Sequence, residues 1–139
     1  MARKKLKMAR HVRLYHFMLN CPAWRALDAN CRALYVEIAK RHMGLNNGQI
    51  PYSVREGAAE FGISKTTVSR CLAKLVEHGF LRPTKKGAFS LKSRHATEWR
   101  LTEFECDSKP ATNDFMRWSP PTSAIQSTPL VMAGSINDA

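Results

Sequence analysis

The stretch Val54-Arg-Glu-Gly-Ala-Ala-Glu-Phe-Gly62-Ile-Ser-Lys-Thr-Thr-Val-Ser-Arg-Cys-Leu-Ala-Lys-Leu75 decides the fold, because its pattern is that of two helices joined by a tight turn. Gly62 is placed to end the first helix, since glycine adopts the left-handed backbone that such a turn requires. Ser64 is placed to cap the second. The second helix has an apolar stripe at helical spacing, formed by Val68, Cys71, Leu72 and Leu75. The spacing predicts a helix-turn-helix, with Ala58 as the small residue where the two axes cross.

Other elements are predicted on both sides of this unit. Apolar residues at steps of three and four predict a helix near 28–43, with Gly44 just beyond its end. Ser53 and Glu56 form a capping box for a helix over 54–61, and the second helix of the pair runs near 65–78. After Gly79 the pattern changes to short β-favouring runs, which predict an antiparallel hairpin from 80 to 104 with Pro83 on an edge strand. The predicted fold class is therefore mainly α with a small antiparallel β-hairpin, a winged helix-turn-helix.

Charge is unevenly distributed along the 139 residues, which carry 22 Lys and Arg against 11 Asp and Glu. Residues 1–102 hold 20 of these basic residues and only 6 of the acidic ones. A surplus of this size on one domain indicates a polyanionic partner. No apolar run approaches the length of a membrane span, and the first residues do not form a convincing export signal, so we expect a cytoplasmic protein.

Composition predicts three regions. Residues 1–13 are a basic N-terminal arm, residues 14–104 are the predicted winged-helix domain, and residues 105–139 are a tail containing Ser, Thr and Pro that is largely irregular. The tail contains one apolar cluster, Phe115-Met-Arg-Trp118. We expect this cluster to dock on the domain, and docking on a partner protein is the alternative.

The second helix of the pair is the candidate recognition helix, because the residues opposite its apolar stripe are short, polar and basic. Such a face fits the major groove, where Arg pairs with guanine and Ser or Thr bonds to bases or phosphates. An ordinary solvated helix face has the same residue types, and this alternative stays open. The predicted DNA-binding residues of this helix are Lys65, Thr66, Thr67, Ser69, Arg70 and Lys74.

Two further basic segments are predicted to contact phosphates, since each neutralised phosphate releases counterions. The wing residues are Lys85, Lys86, Lys92 and Arg94. The arm residues are Arg3, Lys4, Lys5, Lys7 and Arg10. Charged hairpin tips that serve solubility, and a basic end without a role, are the alternatives.

The four cysteines, Cys21, Cys31, Cys71 and Cys106, have no C-x-x-C pair and no histidine at metal-finger spacing. They are predicted to be free thiols, with no metal site. The sequence also lacks a phosphate-binding glycine loop, a nucleophile elbow and a convergent acidic pair. It therefore predicts no catalytic residue, no cofactor and no enzymatic activity.

The segment from Ile50 to Leu81 resembles the winged-helix DNA-binding domains of bacterial regulators of the MarR and GntR type. It is similar, more closely still, to small replication-initiator-like winged-helix proteins of bacterial chromosomes and mobile elements. Further similar segments, such as Cys21-Pro-Ala-Trp24 and Ala96-Thr-Glu-Trp-Arg-Leu-Thr102, extend the resemblance over about residues 10–104. The resemblance implies DNA binding, with Lys65, Thr66, Thr67, Ser69 and Arg70 at the matching recognition positions.

Together these patterns predict a sequence-specific double-stranded DNA-binding protein associated with the nucleoid, a bacterial transcriptional regulator. A replication-initiator-like factor of a mobile element is one alternative. A protein-interaction module that recruits a partner through its tail is another, and RNA binding is a third. A homodimer is compatible with the sequence, although no segment is a convincing dimer helix.

Overall fold

The computed structural model describes residues 9–85, 88–89 and 94–121. The helices are α1 (His16–Leu19), α2 (Pro22–Arg25), α3 (Ala29–Lys40), α4 (Val54–Phe61) and α5 (Lys65–Glu77), with a 3₁₀ helix at Asp114–Arg117. The strands are β1 (Ile50–Pro51), β2 (Leu81–Lys85), β3 (Ala88–Phe89), β4 (Arg94–His95) and β5 (Glu98–Leu101). Crossing a membrane takes a longer and more apolar helix than any in the described part of the chain.

Side-chain caps begin the three longer helices. The Asp28 carboxylate accepts from the Cys31 N–H at 3.0 Å and so starts α3. The capping box of Ser53 and Glu56 is present at the start of α4, and Ser64 accepts from the Thr67 N–H at the start of α5. The caps predicted at Ser53 and Ser64 are therefore confirmed.

Helix α3 ends earlier than the sequence predicted, at Lys40 rather than near residue 43. The reason is the Asn46 side chain, which accepts from the Met43 N–H at 2.7 Å and donates to the Arg41 carbonyl at 3.0 Å. These bonds occupy backbone groups that a longer helix would use. Gly44 has a positive φ of 97° as expected, but it lies in the following loop and does not cap the helix.

The turn between α4 and α5 is the predicted one, since Gly62 is left-handed with φ 64° and its N–H bonds to the Ala58 carbonyl. The residue at the crossing point, however, is Gly57 and not Ala58. Gly57 is buried, and a Cβ atom placed on it would lie 2.8 Å from Cγ1 of Val68 in α5. Ala58 is partly exposed. The two helices thus cross one residue earlier than the spacing predicted.

The strands form a three-stranded antiparallel sheet with the order β1-β5-β2, and β3 pairs with β4 as a separate two-stranded ribbon. Pro83 lies on β2, an outer strand, which confirms its predicted edge position. Pro51 lies on β1, the outer strand on the other side. The predominance of helices together with this small antiparallel sheet confirms the predicted fold class, a mainly α winged helix-turn-helix.

Aromatic side chains join the helices to the sheet. The rings of Trp24, Tyr35 and Phe80 contact one another edge to face, with centroids 5.6 Å apart in each pair. Phe115 completes this cluster and is fully buried. The docking predicted for the segment Phe115–Trp118 is confirmed, and the packed structure continues past residue 104, where the sequence placed the start of the tail.

Candidate nucleic-acid interface

Helix α5 has one buried face and one exposed face. The stripe of Val68, Cys71, Leu72 and Leu75 is buried against the core. On the opposite side, the exposed residues are Lys65, Thr66, Ser69, Arg70, Ala73 and, at the last position of the helix, the acidic Glu77. Thr67 and Lys74 are partly exposed at the flanks. The side that the sequence assigned to DNA is therefore open to solvent along the whole helix.

The first turn of α5 combines a cap with basic charge. The Ser64 hydroxyl accepts from the Thr67 N–H at 3.1 Å, and the two side-chain oxygens of these residues lie 2.9 Å apart. Thr67 is thus engaged in the cap, whereas Lys65 and Thr66 are exposed. The N-terminal amides of a helix have no acceptor within it and favour anions. This end of α5 suits a phosphate.

Arg70 is linked to the N-terminus of α3. Its Nη1 lies 3.4 Å from Oδ2 of Asp28, and both side chains remain about half exposed. An exposed pair at this distance contributes at most about 1 kcal/mol. The contact to Asp28 therefore orients the guanidinium only weakly, and Arg70 can leave Asp28 for another acceptor.

The wing follows directly from α5, because Gly79 and Phe80 lead from the helix into β2. Lys85 is exposed at the end of β2. Arg94 lies on β4, in register with Phe89 on β3. The predicted residues Lys86 and Lys92 lie outside the described residues.

The arm is described from residue 9 onward, so the predicted arm residues Arg3, Lys4, Lys5 and Lys7 lie outside the described part. Arg10 is exposed and lines a cavity of about 490 Å³ with His11, Lys40 and His42. These residues mark the C-terminal end of α3, while Asp28 and Arg70 lie at its N-terminal end. Twelve helical residues span about 18 Å, so Arg10 is not brought beside Arg70.

The structure also brings together three groups that the sequence did not connect. One donor atom from each of Asp28, Cys31 and Cys71 lies within 4.8 Å of the others. The four cysteines all lie in the described part of the chain, and none of them forms a disulfide bond. The association across two helices escaped sequence reasoning because the three residues share no spacing motif. The only signal in the sequence was that Cys31 and Cys71 both occupy inward-facing positions on their helices.

Residues 45–85 match the IclR helix-turn-helix domain. This segment runs from the loop before β1 to the end of β2 and includes all of α4 and α5. Comparison with curated proteins and with solved structures gives no match.

The IclR match supports a DNA-binding transcription regulator and agrees with the winged helix-turn-helix fold. The matched family differs from the MarR, GntR and replication-initiator types that the sequence resembled, and that resemblance is not confirmed. The match supports the helix-turn-helix unit, which each of these resemblances predicted.

Proposed function

We propose that the protein is a sequence-specific regulator of bacterial transcription that inserts α5 into the major groove of double-stranded DNA. The observation that carries this proposal is the exposed polar face of α5, held outward by the Gly62 turn and by the burial of the opposite stripe. The match of residues 45–85 to a helix-turn-helix domain supports it. The protein would act in the cytoplasm, at the nucleoid.

The proposal gives the residues of α5 different roles. Arg70 bonds bidentately to guanine, because its guanidinium is exposed and exchanges readily from Asp28. Thr66 and Ser69 contact base edges or phosphates nearby, and Lys65 neutralises a phosphate at the start of the helix. Thr67 and Lys74 contact the backbone from the flanks.

The wing and the arm supply contacts that do not depend on sequence. In the wing these residues are Lys85, Lys86, Lys92 and Arg94, and in the arm they are Arg3, Lys4, Lys5, Lys7 and Arg10. Because Arg10 lies at the far end of α3 from Arg70, the arm would reach phosphates beyond the recognition site. A homodimer would place two recognition helices on successive half-sites.

Selection of bound duplexes from a random DNA library, followed by affinity measurements, tests this division of roles. Arg70→Ala should lower specific affinity by about 1–3 kcal/mol and relax the preference at one base position. Lys85→Ala should weaken binding to all sequences by a similar factor. Lys109→Ala removes an exposed charge outside the matched domain and serves as the control. Equal losses for Arg70→Ala and Lys85→Ala on both selected and random DNA would contradict the proposal.

The alternative roles remain proposals of a second rank. A replication-initiator-like factor would use the same interface at an origin of replication.

A recruiter of partner proteins would instead depend on its tail, and a truncation of the tail tests this role. Removing everything after residue 104 would also remove the buried Phe115, so the informative truncation ends at Pro121. Intact DNA affinity with lost activity in cells would favour recruitment.

RNA binding is the third alternative role, and competition between duplex DNA and structured RNA tests it.

A further inference from the structure

Two buried thiols and a carboxylate converge where α3 meets α5. Cys31 and Cys71 are completely buried, while the Asp28 side chain is about half exposed. One donor atom from each lies within 4.8 Å of the other two. The cluster therefore has a closed, sulfur-lined inner side and an opening to solvent at the carboxylate.

The donor set is suited to a thiophilic divalent ion. Zinc binds cysteine thiolates and carboxylate oxygens, and it often combines three protein ligands with one water molecule. Tetrahedral zinc places its donor atoms roughly 3.5 to 3.8 Å apart, so the three groups need to move by only about 1 Å. The exposed side at Asp28 leaves access for the ion and for the water.

The cluster is held by bonds that do not depend on an ion. The Asp28 carboxylate accepts from the Cys31 N–H at 3.0 Å, which fixes it over the first turn of α3. Burial, together with a hydrogen bond to Cys71, raises the pKa of Cys31 to about 12. The Cys31 thiol thus remains protonated in the absence of an ion, and it must release its proton to solvent when an ion binds.

We propose that Asp28, Cys31 and Cys71 form a binding site for one divalent ion of the zinc class. Binding converts two thiols to thiolates and releases two protons for each ion. It also draws the Asp28 carboxylate toward the ion, in competition with its contact to Arg70 at 3.4 Å. Occupancy of the site would therefore free the guanidinium on the recognition helix. This coupling to DNA rests on the proposed function, whereas ion binding does not.

Titration of the full chain, kept reduced with a phosphine, tests ion binding. Zn²⁺ in competition with a chromophoric chelator should give one site per chain, and Cd²⁺ should produce the ultraviolet absorption of thiolate-to-cadmium charge transfer. Cys31→Ser and Cys71→Ser should each weaken binding at least about 100-fold. Asp28→Asn keeps a good helix cap and should weaken binding about 10-fold. Cys21→Ser, which changes a buried thiol outside the cluster, is the matched control and should bind as the wild type.

A wild-type measurement keeps the test valid if a cysteine variant fails to fold. X-ray absorption at the zinc edge should show two sulfur ligands per ion. A spectrum with only nitrogen and oxygen ligands would overturn the site, as would undiminished charge transfer in Cys31→Ser and Cys71→Ser. Absence of any thiolate absorption with Cd²⁺ would do the same.

The coupling is tested separately by the affinity of wild type and of Cys31→Ser for a selected duplex, with and without zinc. Zinc should raise the DNA affinity of the wild type by up to about 5-fold, the size expected for release of an exposed ion pair. It should leave the DNA affinity of Cys31→Ser unchanged. Equal responses of the two proteins would overturn the coupling. Failure of the chain to bind DNA at all would overturn the proposed function and leave the result of the ion titration standing.

Discussion

Phe115 stacks on Phe80 with nearly parallel rings whose centroids are 4.9 Å apart. The contact joins the 3₁₀ helix to the segment that leads from α5 into the wing. Gly79 allows this approach, because a Cβ atom on it would lie 2.7 Å from the carbonyl carbon of Asp114. Asp114 adds an ion pair to Arg82 on β2 at 3.0 Å. The orientation of the wing therefore depends in part on residues that follow it in the chain.

Phe115→Ala should lower the free energy of unfolding by about 3–5 kcal/mol, since it removes a fully buried ring and leaves a cavity. Urea denaturation measures the loss. Met116→Ala changes the neighbouring residue, which is half exposed, and should stay within about 0.5 kcal/mol of the wild type. Similar losses for the two variants would show that the 3₁₀ helix does not close the core.

Gly57→Ala should destabilise the protein although alanine favours helices. The added methyl would lie 2.8 Å from Cγ1 of Val68 and 3.2 Å from Cδ2 of Leu34. Such overpacking costs typically 1–3 kcal/mol, against a gain of about 1 kcal/mol from helix propensity. Thermal unfolding should show a lower Tm, and a higher Tm would refute the close crossing at this residue.

Gly62→Ala is the natural comparison for Gly57→Ala. A Cβ atom at Gly62 meets nothing within 4 Å, so its cost comes only from the left-handed backbone at φ 64°. This cost is about 1–2 kcal/mol. Gly62→Asn should recover part of the loss, because asparagine tolerates this conformation, whereas Gly57→Asn should be worse than Gly57→Ala.

Stability should depend on pH through Glu103. This residue accepts a hydrogen bond from the Tyr35 hydroxyl, and its Oε2 is buried without a partner among the described residues. Burial raises the pKa of Glu103 above its ordinary value of 4.5. The folded protein thus holds this proton more tightly than the unfolded chain. The contribution of Glu103 to stability is present at low pH and is lost as pH rises through the folded pKa.

Glu103→Gln stays neutral at every pH and keeps an oxygen that accepts from Tyr35. The variant should gain stability relative to the wild type as pH rises from about 4.5 toward neutrality, where burial of the wild-type charge is costly. Urea denaturation of both proteins over this range gives the difference directly. If the difference in unfolding free energy between the two proteins does not change with pH, burial does not raise the pKa of Glu103.

DNA affinity should depend steeply on salt, because the basic surface would displace counterions from the phosphate backbone. With about six to ten phosphates contacted, the affinity should fall roughly 10³- to 10⁵-fold between 50 and 200 mM salt. Fluorescence anisotropy at several salt concentrations measures the slope. Binding that does not respond to salt would argue against the interface proposed here.

Local rules predicted the helix-turn-helix closely. The Ser53 and Glu56 box, the Ser64 cap and the Gly62 turn each depend on residues within a few positions of one another. Their geometry is therefore readable from spacing alone, and both predicted helices end within one residue of the observed ones. The polar and basic face of α5 followed from the same periodicity.

The features that were missed depend on contacts between distant residues. Asn46 ends α3 by bonding to Arg41 and Met43, just after the last helical residue, and no pattern within the helix reveals this. Gly57 marks the true crossing point because Val68 and Leu34 approach it from two other helices. The contact between Asp28 and Arg70 joins residues far apart in the chain. Such side-chain pairings require the packed arrangement of helices.

Both outer strands of the three-stranded sheet contain a proline, Pro51 on β1 and Pro83 on β2. Proline has no N–H to donate, so neither border offers a complete ladder to an incoming strand from another molecule. The shift in register between Pro83 and Lys85 interrupts the second border further. Both edges of this three-stranded sheet are thereby poor templates for association with a strand of a second molecule.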